Sequence, residues 1–364
     1  MLIRAAIIRE PGEDFHITDL ELDEPRENEA LVRVAACGVC HTDDVARKQI
    51  IPVPLPAVFG HEGCGVIEAL GPGMSDFHVG DRVLFSFGYC GVCENCRGGH
   101  PYACLHNRRL NFSGEHFDST RRLHEGDRPV SAFFGQGAFA THSVVHRNNL
   151  IPAPADLPLE VLAPLGCGIQ TGAGAVLNYL KAQPGKGILI TGCGAVGLSA
   201  VMAAAIAGCS PIIACDLQQP RLDLAMELGA THALRGDRED LPGAVRALTG
   251  GWGVHYAVDC TGSGKSVRAS LNCVRSLGIC AVVGATQELT IHVENELMGA
   301  AKTLGGVVEG CCTPQLFIPQ LLDFYRQGRF PFDRLVEFYP FEDINRAFED
   351  TKSGKAVKAV LRMG

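Results

Sequence analysis

The sequence lacks several features that would place it in a specialised class of protein. No stretch approaches the roughly 18 uninterrupted apolar residues of a membrane-spanning helix, and the most apolar helical segment, 195–209, is short and bounded by glycines. No dense Lys/Arg block occurs and the formal net charge is −8, so nucleic acid and membranes are not expected as partners. The 20% charged and 7% aromatic residues exclude a disordered tail, a collagen-like repeat or a disulfide miniprotein.

A targeting signal is not evident at the N-terminus. The first residues form a short apolar run that is broken by Arg4 and followed by Glu10. Without a long apolar region or a small-residue cleavage site, this segment predicts a strand rather than a signal peptide. We therefore expect a cytoplasmic protein, in which cysteines are more often metal ligands, catalytic groups or small buried hydrophobes than disulfides.

The length of 364 residues, 46% of them hydrophobic, predicts two domains whose cores need no disulfides. Short β-like runs punctuated by Gly and Pro extend to about residue 150, and a proline-rich stretch follows at 151–158. Apolar strands then alternate with helical segments, which is typical of a parallel sheet buried on both faces. The predicted strands are 30–36, 65–70, 80–85, 187–191, 211–216, 256–260 and 279–283, the predicted helices are 195–208, 318–328 and 342–353, and 356–361 is a further apolar run. The run 279–283 fits either a subunit interface or a core strand.

Four cysteines follow a strict spacing, Cys90-x2-Cys93-x2-Cys96-x7-Cys104. They share one glycine-containing polar loop, and four thiolates so spaced can close a tetrahedral zinc site with no open position. We therefore predict a structural zinc ion. Four unrelated buried cysteines would not keep this spacing, and a zinc ribbon that binds nucleic acid would carry a basic, aromatic-rich face that this loop lacks.

A glycine-rich turn, Gly192-Cys-Gly194-Ala-Val-Gly197, follows the predicted strand 187–191 and begins the next predicted helix. The glycines permit a tight turn and a close approach of the backbone to a pyrophosphate, whose charge is met by the helix N-terminus. Asp216 ends the following predicted strand, where a carboxylate accepts hydrogen bonds from the adenosine ribose and repels a 2′-phosphate. The turn therefore predicts a dinucleotide site that favours NAD over NADP.

Together these motifs resemble the zinc-dependent medium-chain alcohol dehydrogenases over nearly the whole chain. The other motifs that carry the resemblance are Cys40-His-Thr-Asp43, Gly60-His-Glu62 with Gly65 and Gly71, Gly166-Cys-Gly168 and Ser353-Gly-Lys-Ala-Val-Lys358. This family implies an α/β fold with a GroES-like irregular β catalytic domain, 1–168 and 309–364, and a Rossmann coenzyme domain with a doubly wound parallel sheet, 169–308. Relatives form dimers or tetramers, so we expect a homodimer or a homotetramer.

The resemblance also implies a catalytic metal site. Two thiolates and one imidazole are the ligand set of alcohol dehydrogenase itself, which makes Cys40, His61 and Cys167 the ligands of a catalytic zinc with its fourth position open to water or substrate. Asp43 would orient His61, and Glu62 would lie close to the metal. With the structural ion, this gives two Zn²⁺ per chain.

For the cofactor and the proton, the resemblance implies further residues. Those expected at the NAD site are His41 near the pyrophosphate, Thr171 and Val196 near the nicotinamide, Arg221 beside Asp216 near the adenosine, Lys358 near the phosphates, and Gly192, Gly194 and Gly197 in the turn. Thr42 would take the proton of the substrate hydroxyl and pass it to the cofactor ribose. Many relatives carry a histidine that hands this proton to solvent, but the aligned residue is Val45, so water or another base completes the relay.

Several segments resemble the aryl-alcohol (benzyl-alcohol) dehydrogenases within this family, namely 52–58, 165–174, 306–310, 317–320 and 327–333. The resemblance thus implies reversible oxidation of a primary aromatic or allylic alcohol to its aldehyde with NAD. Aliphatic or terpenoid alcohols and S-hydroxymethyl thiol adducts remain alternatives, the adducts because Arg108 could meet a substrate carboxylate. A non-catalytic zinc- and NAD-binding protein is the alternative from another class, although such a protein has no need of an open metal position or of Thr42.

The sixteen cysteines therefore divide into six predicted zinc ligands and ten others. Cys193 and Cys215 among the ten are expected to pack as small hydrophobic side chains near the cofactor. The ten predict sensitivity to oxidants and thiol reagents rather than disulfides.

Overall fold

A computed structural model describes the whole chain, Met1–Gly364. The strands are β1 Leu2–Ile8, β2 His16–Leu22, β3 Glu29–Gly38, β4 Ala57–Val58, β5 Glu62–Leu70, β6 Arg82–Phe85, β7 Leu123–Glu125, β8 Arg128–Ala132, β9 His142–His146, β10 Leu150–Pro152, β11 Ile188–Thr191, β12 Ile212–Asp216, β13 His232–Arg235, β14 Val254–Asp259, β15 Val274–Val282, β16 Thr303–Gly306, β17 Val336–Pro340 and β18 Lys358–Arg362. The α-helices are α1 His41–Arg47, α2 Glu94–Arg97, α3 Asn107–Phe112, α4 Leu159–Leu162, α5 Gly168–Gly174, α6 Ala195–Ile206, α7 Gln219–Glu227, α8 Leu241–Ala247, α9 Gly264–Cys273, α10 Val293–Glu296, α11 Pro314–Arg326 and α12 Ile344–Ser353. None of these helices has the length and apolar character needed to cross a bilayer.

The chain divides into two compact units. The first comprises Met1–Cys167, Thr313–Ile318 and Asp333–Gly364, and the second comprises Gly168–Cys312 and Pro319–Phe332. The sequence places 168, 309–312 and 319–332 in the catalytic domain, whereas the structure includes these residues in the second unit. There Arg329 donates a hydrogen bond to the Ile206 carbonyl at the end of α6.

The first unit is built from a closed barrel and an open sheet. The barrel has the strand order β1-β2-β7-β8-β4, and the sheet has the order β10-β6-β5-β3-β18-β17, with β9 also paired to β3. Aliphatic and phenylalanine side chains from both fill a continuous core. The strands predicted at 30–36, 65–70 and 80–85 are confirmed as β3, β5 and β6, and the apolar run at 356–361 lies mostly in β18.

The second unit contains a six-stranded parallel sheet in the order β13-β12-β11-β14-β15-β16. All residues of β11 and β12 are buried, as expected for strands covered on both faces. The run 279–283 lies in or next to β15, between β14 and β16, so it belongs to an interior strand and not to a sheet edge. The two edge strands, β13 and β16, escaped prediction because they are short and only partly buried.

The parallel sheet brings three strand ends to one edge. Thr191, Asp216 and Asp259 are the last residues of β11, β12 and β14, and Thr191 pairs in register with both Cys215 and Asp259. From β11 the strand order runs to β12 and β13 on one side and to β14, β15 and β16 on the other. The strand order therefore reverses at β11, and this edge of the sheet is a topological switch point. Open α/β sheets bind ligands at such a point.

A buried ion cluster joins the start of β3 to the chain that leads into β7. The Arg122 guanidinium donates to both carboxylate oxygens of Glu29, at 2.9 and 2.8 Å, and His116 Nδ1 lies 3.3 Å from the same carboxylate. All three side chains are at most 2% exposed. Burial by itself would raise the pKa of Glu29, but the hydrogen bonds from His116 and Arg122 lower it to about 2.

We expect Glu29→Gln to lower the free energy of unfolding by about 3 kcal/mol at pH 7, because it removes the buried carboxylate that pairs with Arg122 and leaves that charge with the exposed Asp118 as its remaining acidic partner. The folded pKa of Glu29 lies below its ordinary value of 4.5, so the stabilisation is complete above that pH and is lost as the pH falls towards 2. Urea titrations at several pH values measure both effects. The control is Glu68→Gln, whose partly exposed pair with Arg33 contributes at most about 1 kcal/mol, and equal losses in the two variants would contradict the prediction.

Candidate active site and cofactor site

The residues predicted to hold a catalytic metal lie together in the first unit. One ligand atom from each of Cys40, His61, Glu62 and Cys167 lies within 4.8 Å of the other three. Cys40 immediately precedes α1, and His61 immediately precedes β5. His61, Glu62 and Cys167 are buried, whereas Cys40 is partly exposed. Three segments that are distant in sequence therefore form one largely buried cluster.

The Asp43 carboxylate connects two of these segments. Its Oδ1 accepts from the Gly60 backbone N–H at 3.0 Å and lies 2.9 Å from His61 Nδ1, and its Oδ2 accepts from the Cys40 backbone N–H at 3.3 Å. The side chain is completely buried. Because Nδ1 of His61 is engaged by Asp43, Nε2 is left to face the thiols, which is the arrangement by which a carboxylate orients a metal-binding histidine.

The cluster fits a zinc ion by its donor chemistry. His61 Nε2 is buried and makes no hydrogen bond to an oxygen or nitrogen atom, and the nearby donors are two sulfur atoms, the ligands that zinc shares with imidazole. A hydrogen bond with Cys167 and the neighbouring His61 ring hold the pKa of Cys40 well below its usual range, despite burial. A thiolate is the form of cysteine that binds metal.

Glu62 and Lys358 form a buried ion pair beside this cluster. Lys358 Nζ lies 2.5 Å from Glu62 Oε2 and donates to the Val39 carbonyl at 2.9 Å, and the lysine is 3% exposed. Burial raises the pKa of the Glu62 carboxyl, and the Lys358 charge opposes this shift. The expected contact of Lys358 with cofactor phosphates stays a prediction, since its ammonium group is held here by Glu62.

The residues of the proposed proton path lie at the start of α1. Thr42 is partly exposed, with Oγ1 3.6 Å from Cys40 Sγ, and His41, the first residue of α1, is exposed. Val45 is 8% exposed and carries no group that could relay a proton. The structure therefore places the Thr42 hydroxyl beside the metal-type cluster, and the role of Thr42 in proton transfer stays a prediction.

Two phenylalanines enclose the His61 ring, and the sequence analysis did not single them out. The Phe134 ring stacks on it at 4.5 Å between centroids with an interplanar angle of 27°, and the Phe133 ring meets it edge-on at 5.5 Å. Phe112 packs against both phenylalanines. The only sequence signal is the pair Phe133-Phe134 before Gly135, which is too common to be assigned a role without the fold.

The four cysteines of the loop at 90–104 form the second metal-type cluster. Their sulfur atoms lie within 4.8 Å of one another. Backbone N–H groups of Val92 and Cys93 donate to Cys90 Sγ, and those of Cys90 and His106 donate to Cys104 Sγ, at 3.3–3.4 Å. Such bonds stabilise negative charge on sulfur. With four sulfur donors and no other group in the cluster, the site fits a tetrahedral ion without an open position.

The glycine-rich turn in the second unit lies between β11 and α6. A Cβ on Gly197 would lie 1.9 Å from the Gly192 carbonyl oxygen, so the turn closes tightly only with glycine there. A Cβ on Gly194 would meet nothing within 4 Å except the Arg221 guanidinium, at 3.8 Å. The backbone at Gly194 is therefore accessible to a ligand at the N-terminus of the twelve-residue α6, as pyrophosphate binding requires.

Asp216 holds this turn as well as ending β12. Its Oδ2 accepts from the Cys193 backbone N–H at 2.6 Å, and its Oδ1 accepts from the Gln218 N–H at 2.8 Å. Arg221, on α7, has a buried Nε atom without a hydrogen-bond partner. A carboxylate and an unpaired guanidinium nitrogen thus lie beside the turn, which suits the polar adenosine half of a dinucleotide.

Thr171 and Val196 lie on two helices that pack closely. A Cβ on Gly172 would lie 1.9 Å from the Val196 carbonyl oxygen, so α5 contacts the first turn of α6 directly. Thr171 and Val196 are both partly exposed. The structure thus brings together the two residues of the second unit that are predicted to lie near the nicotinamide.

Asp259 is a residue of this site that sequence reasoning missed. Its buried carboxylate accepts hydrogen bonds from the hydroxyl groups of Thr191 (2.7 Å), Ser266 (2.6 Å) and Thr261 (2.8 Å) and from the Thr261 N–H (3.0 Å). The Thr261 side chain packs 3.0 Å from the position of a Cβ on Gly192. The network supports the turn from the side opposite Asp216, and the available signal was an aspartate at the end of a predicted buried strand.

Comparisons with known proteins identify the family of the chain. The family model described as alcohol dehydrogenase GroES-like domain matches residues 26–155, and the one described as zinc-binding dehydrogenase matches residues 195–326. Geraniol dehydrogenase of Castellaniella defragrans is 43% identical over 363 residues, which are 98% of this chain and 97% of that protein.

Solved structures give the same result. The benzyl alcohol dehydrogenase of Acinetobacter calcoaceticus superposes with a TM-score of 0.96 at 43% identity, with 100% of both chains covered. An alcohol dehydrogenase zinc-binding domain protein of Burkholderia ambifaria gives a TM-score of 0.96 at 46% identity, with 100% of this chain and 99% of the other covered. The predicted GroES-like and Rossmann fold is thereby confirmed, and the chain belongs to the zinc-dependent medium-chain alcohol dehydrogenase family.

Proposed function

We propose that this protein reversibly oxidises primary aromatic or allylic alcohols to aldehydes, with NAD as the hydride acceptor and two zinc ions per chain. The observation that carries the proposal is the buried cluster of Cys40, His61 and Cys167, held by Asp43 and adjoined by Thr42. Three protein ligands leave one position for a substrate oxygen, which a purely structural site would not need. This favours an enzyme over a non-catalytic protein that binds zinc and NAD.

The chemistry divides between the bound groups and the chain. When bound, zinc supplies a Lewis acid that favours the deprotonated alcohol, and NAD supplies the acceptor for the hydride from the carbinol carbon. Thr42 accepts the hydroxyl proton, Asp43 keeps His61 in the tautomer with Nε2 directed at the thiols, and the Phe133 and Phe134 rings keep water from the imidazole. One alcohol and one NAD⁺ thus give one aldehyde, one NADH and one proton.

The substrate class rests on what two named relatives have in common. Geraniol and benzyl alcohol are both primary alcohols with an unsaturated carbon next to the carbinol carbon, so each gives a conjugated aldehyde. We therefore propose as substrates the primary alcohols with an unsaturated carbon next to the carbinol carbon, and not one particular compound.

A second substrate class has one observation in its favour. Arg108 and Arg109 line a cavity of about 470 Å³ together with Phe112 and the segment Pro52–Pro54. A guanidinium at the rim can bind a carboxylate, as an S-hydroxymethyl adduct of a carboxylated thiol would require. This class is the alternative that a substrate comparison must include.

We further propose that the protein is cytoplasmic and forms a homodimer or a homotetramer.

We expect the purified chain to contain two zinc ions, of which Cys40→Ser removes one and Cys104→Ser the other. Only Cys40→Ser removes the zinc ion that has a free position for substrate. Turnover in that variant should therefore fall by at least about a thousandfold, since zinc contributes several kcal/mol to such reactions. Metal analysis and initial rates measure both effects. Cys209→Ser, at a buried thiol outside both clusters, is the control, and full activity of Cys40→Ser would rule out the proposed catalytic site.

We expect Asp216→Asn to lower kcat/KM for NAD by roughly tenfold and to raise it for NADP. The amide no longer repels a 2′-phosphate, and it accepts ribose and backbone hydrogen bonds less strongly than a carboxylate. Steady-state kinetics with both cofactors measure the change in preference. Asp223→Asn, on the exposed side of α7, is the matched control, and an unchanged NAD/NADP ratio in Asp216→Asn would exclude this role.

We expect benzyl alcohol and geraniol to be oxidised with kcat/KM at least about tenfold above their saturated counterparts, cyclohexylmethanol and 3,7-dimethyloctan-1-ol. The reason is the conjugation that forms in the aldehyde product. NADH formation with each alcohol, and with hydroxymethylglutathione, is the measurement. A preference for the thiol adduct would support the second class, and equal rates on saturated alcohols would contradict the proposed one.

A further inference from the structure

Phe134 adopts a backbone conformation that an aromatic residue rarely takes. Its φ is 58° and its ψ is 19°, in the left-handed region that favours glycine. Gly135 and Gly137 also have positive φ values, 61° and 60°, which glycine adopts readily. Phe134 adopts the same conformation although it carries a large side chain. Such outliers persist where the surrounding structure holds them, and they cluster at functional sites.

Hydrogen bonds fix the turn that contains Phe134 and tie it to the chain segment before His61. Asn149 Nδ2 donates to the Phe134 carbonyl at 3.2 Å, and the N–H groups of residues 136 and 137 both donate to the Phe133 carbonyl at 3.0 Å. The next two residues pair with the chain that leads into His61, through Ala138 N–H to the Gly60 carbonyl (3.0 Å) and Phe139 N–H to the Phe59 carbonyl (2.9 Å). The Phe134 turn and the His61 segment are therefore one hydrogen-bonded piece of structure.

The strained conformation places the Phe134 ring over the imidazole. The centroids lie 4.5 Å apart with an interplanar angle of 27°, while Phe133 closes a second side edge-on at 5.5 Å and 87°. Both phenylalanines are at most 4% exposed. Asp43 fixes one ring nitrogen, but a single hydrogen bond still permits the ring to tilt about that contact. A face-on ring removes this freedom.

We propose that Phe134 is a positioning residue for the catalytic metal, which keeps the His61 ring in the plane that directs Nε2 at the ion. The inference rests on the proposed metal site of Cys40, His61 and Cys167. Loss of the Phe134 ring would let the imidazole tilt. The metal ion would then be released more easily, although its ligands would be the same residues. Partners that orient a ligating histidine affect metal affinity by about 10- to 100-fold.

The test follows cobalt, exchanged for zinc at the cluster of Cys40, His61 and Cys167 while the four-cysteine site keeps its zinc. Thiolate-to-cobalt absorption reports this site alone, and its decay in excess dipicolinate gives the release rate without any assay of turnover. We expect Phe134→Leu to release cobalt about tenfold faster than the wild type and to show shifted d–d bands. Phe134→Tyr keeps the ring and should behave as the wild type.

Phe112→Leu is the matched control, because this ring packs against Phe134 at 5.4 Å but is not among the rings that contact His61. Its cobalt release should equal that of the wild type. Acceleration of less than threefold in Phe134→Leu, equal acceleration in Phe112→Leu, or loss in Phe134→Tyr as fast as in Phe134→Leu would each overturn the inference. If Phe134→Leu does not fold, Phe134→Met makes the same comparison without a ring.

The proposed function and this inference fail in different ways. If the wild-type chain binds no metal outside the four-cysteine loop, the proposed catalytic site itself is wrong. If it binds two ions and the Phe134 variants release the second one at the wild-type rate, only the positioning role is wrong.

Discussion

The Asp43 carboxylate is the constraint on which the proposed metal site depends. It joins the start of α1 to the chain before β5 through three contacts, with the N–H groups of Cys40 and Gly60 and with the His61 ring. The contacts with Gly60 and His61 are buried and that with Cys40 is partly buried, and in such surroundings hydrogen bonds are stronger than in water and an unmade bond is costly. Two of the ligand residues thus take their positions from one buried side chain that does not itself need to touch the metal.

The proposed cofactor site is held in the same way by two other carboxylates. Asp216 accepts from the backbone within the glycine turn, and Asp259 holds Thr191 before the turn and Thr261 against Gly192. Glycine makes the turn flexible enough to form, and the flanking carboxylates restrict it to one geometry. Buried carboxylates that each accept several hydrogen bonds therefore shape both proposed sites.

The cysteines outside the two clusters are mostly buried. Six of them form the two clusters, whereas eight of the other ten are buried. Burial raises the pKa of most of these, including Cys193, Cys215 and Cys280, which keeps them in the unreactive thiol form. The packing role expected for Cys193 and Cys215 agrees with their burial. The sensitivity of the ten thiols to oxidants and thiol reagents stays a prediction, and the partly exposed Cys260 and Cys311 are the most accessible of them.

The sequence alone determined the features that depend on short-range spacing. The four-cysteine loop, the glycine turn between a buried strand and a helix, and the strands β3, β11 and β12 follow from local patterns, because their geometry closes within a few residues. The family resemblance added Cys40, His61 and Cys167 as a set. The resemblance also added Asp43 as the partner of His61. Only the tertiary structure decided how other distant segments meet: the Glu62–Lys358 pair, the Asp259 network and the stacking of Phe134 on His61. These contacts depend on strand order and register, which set which side chains face each other and which no local pattern encodes.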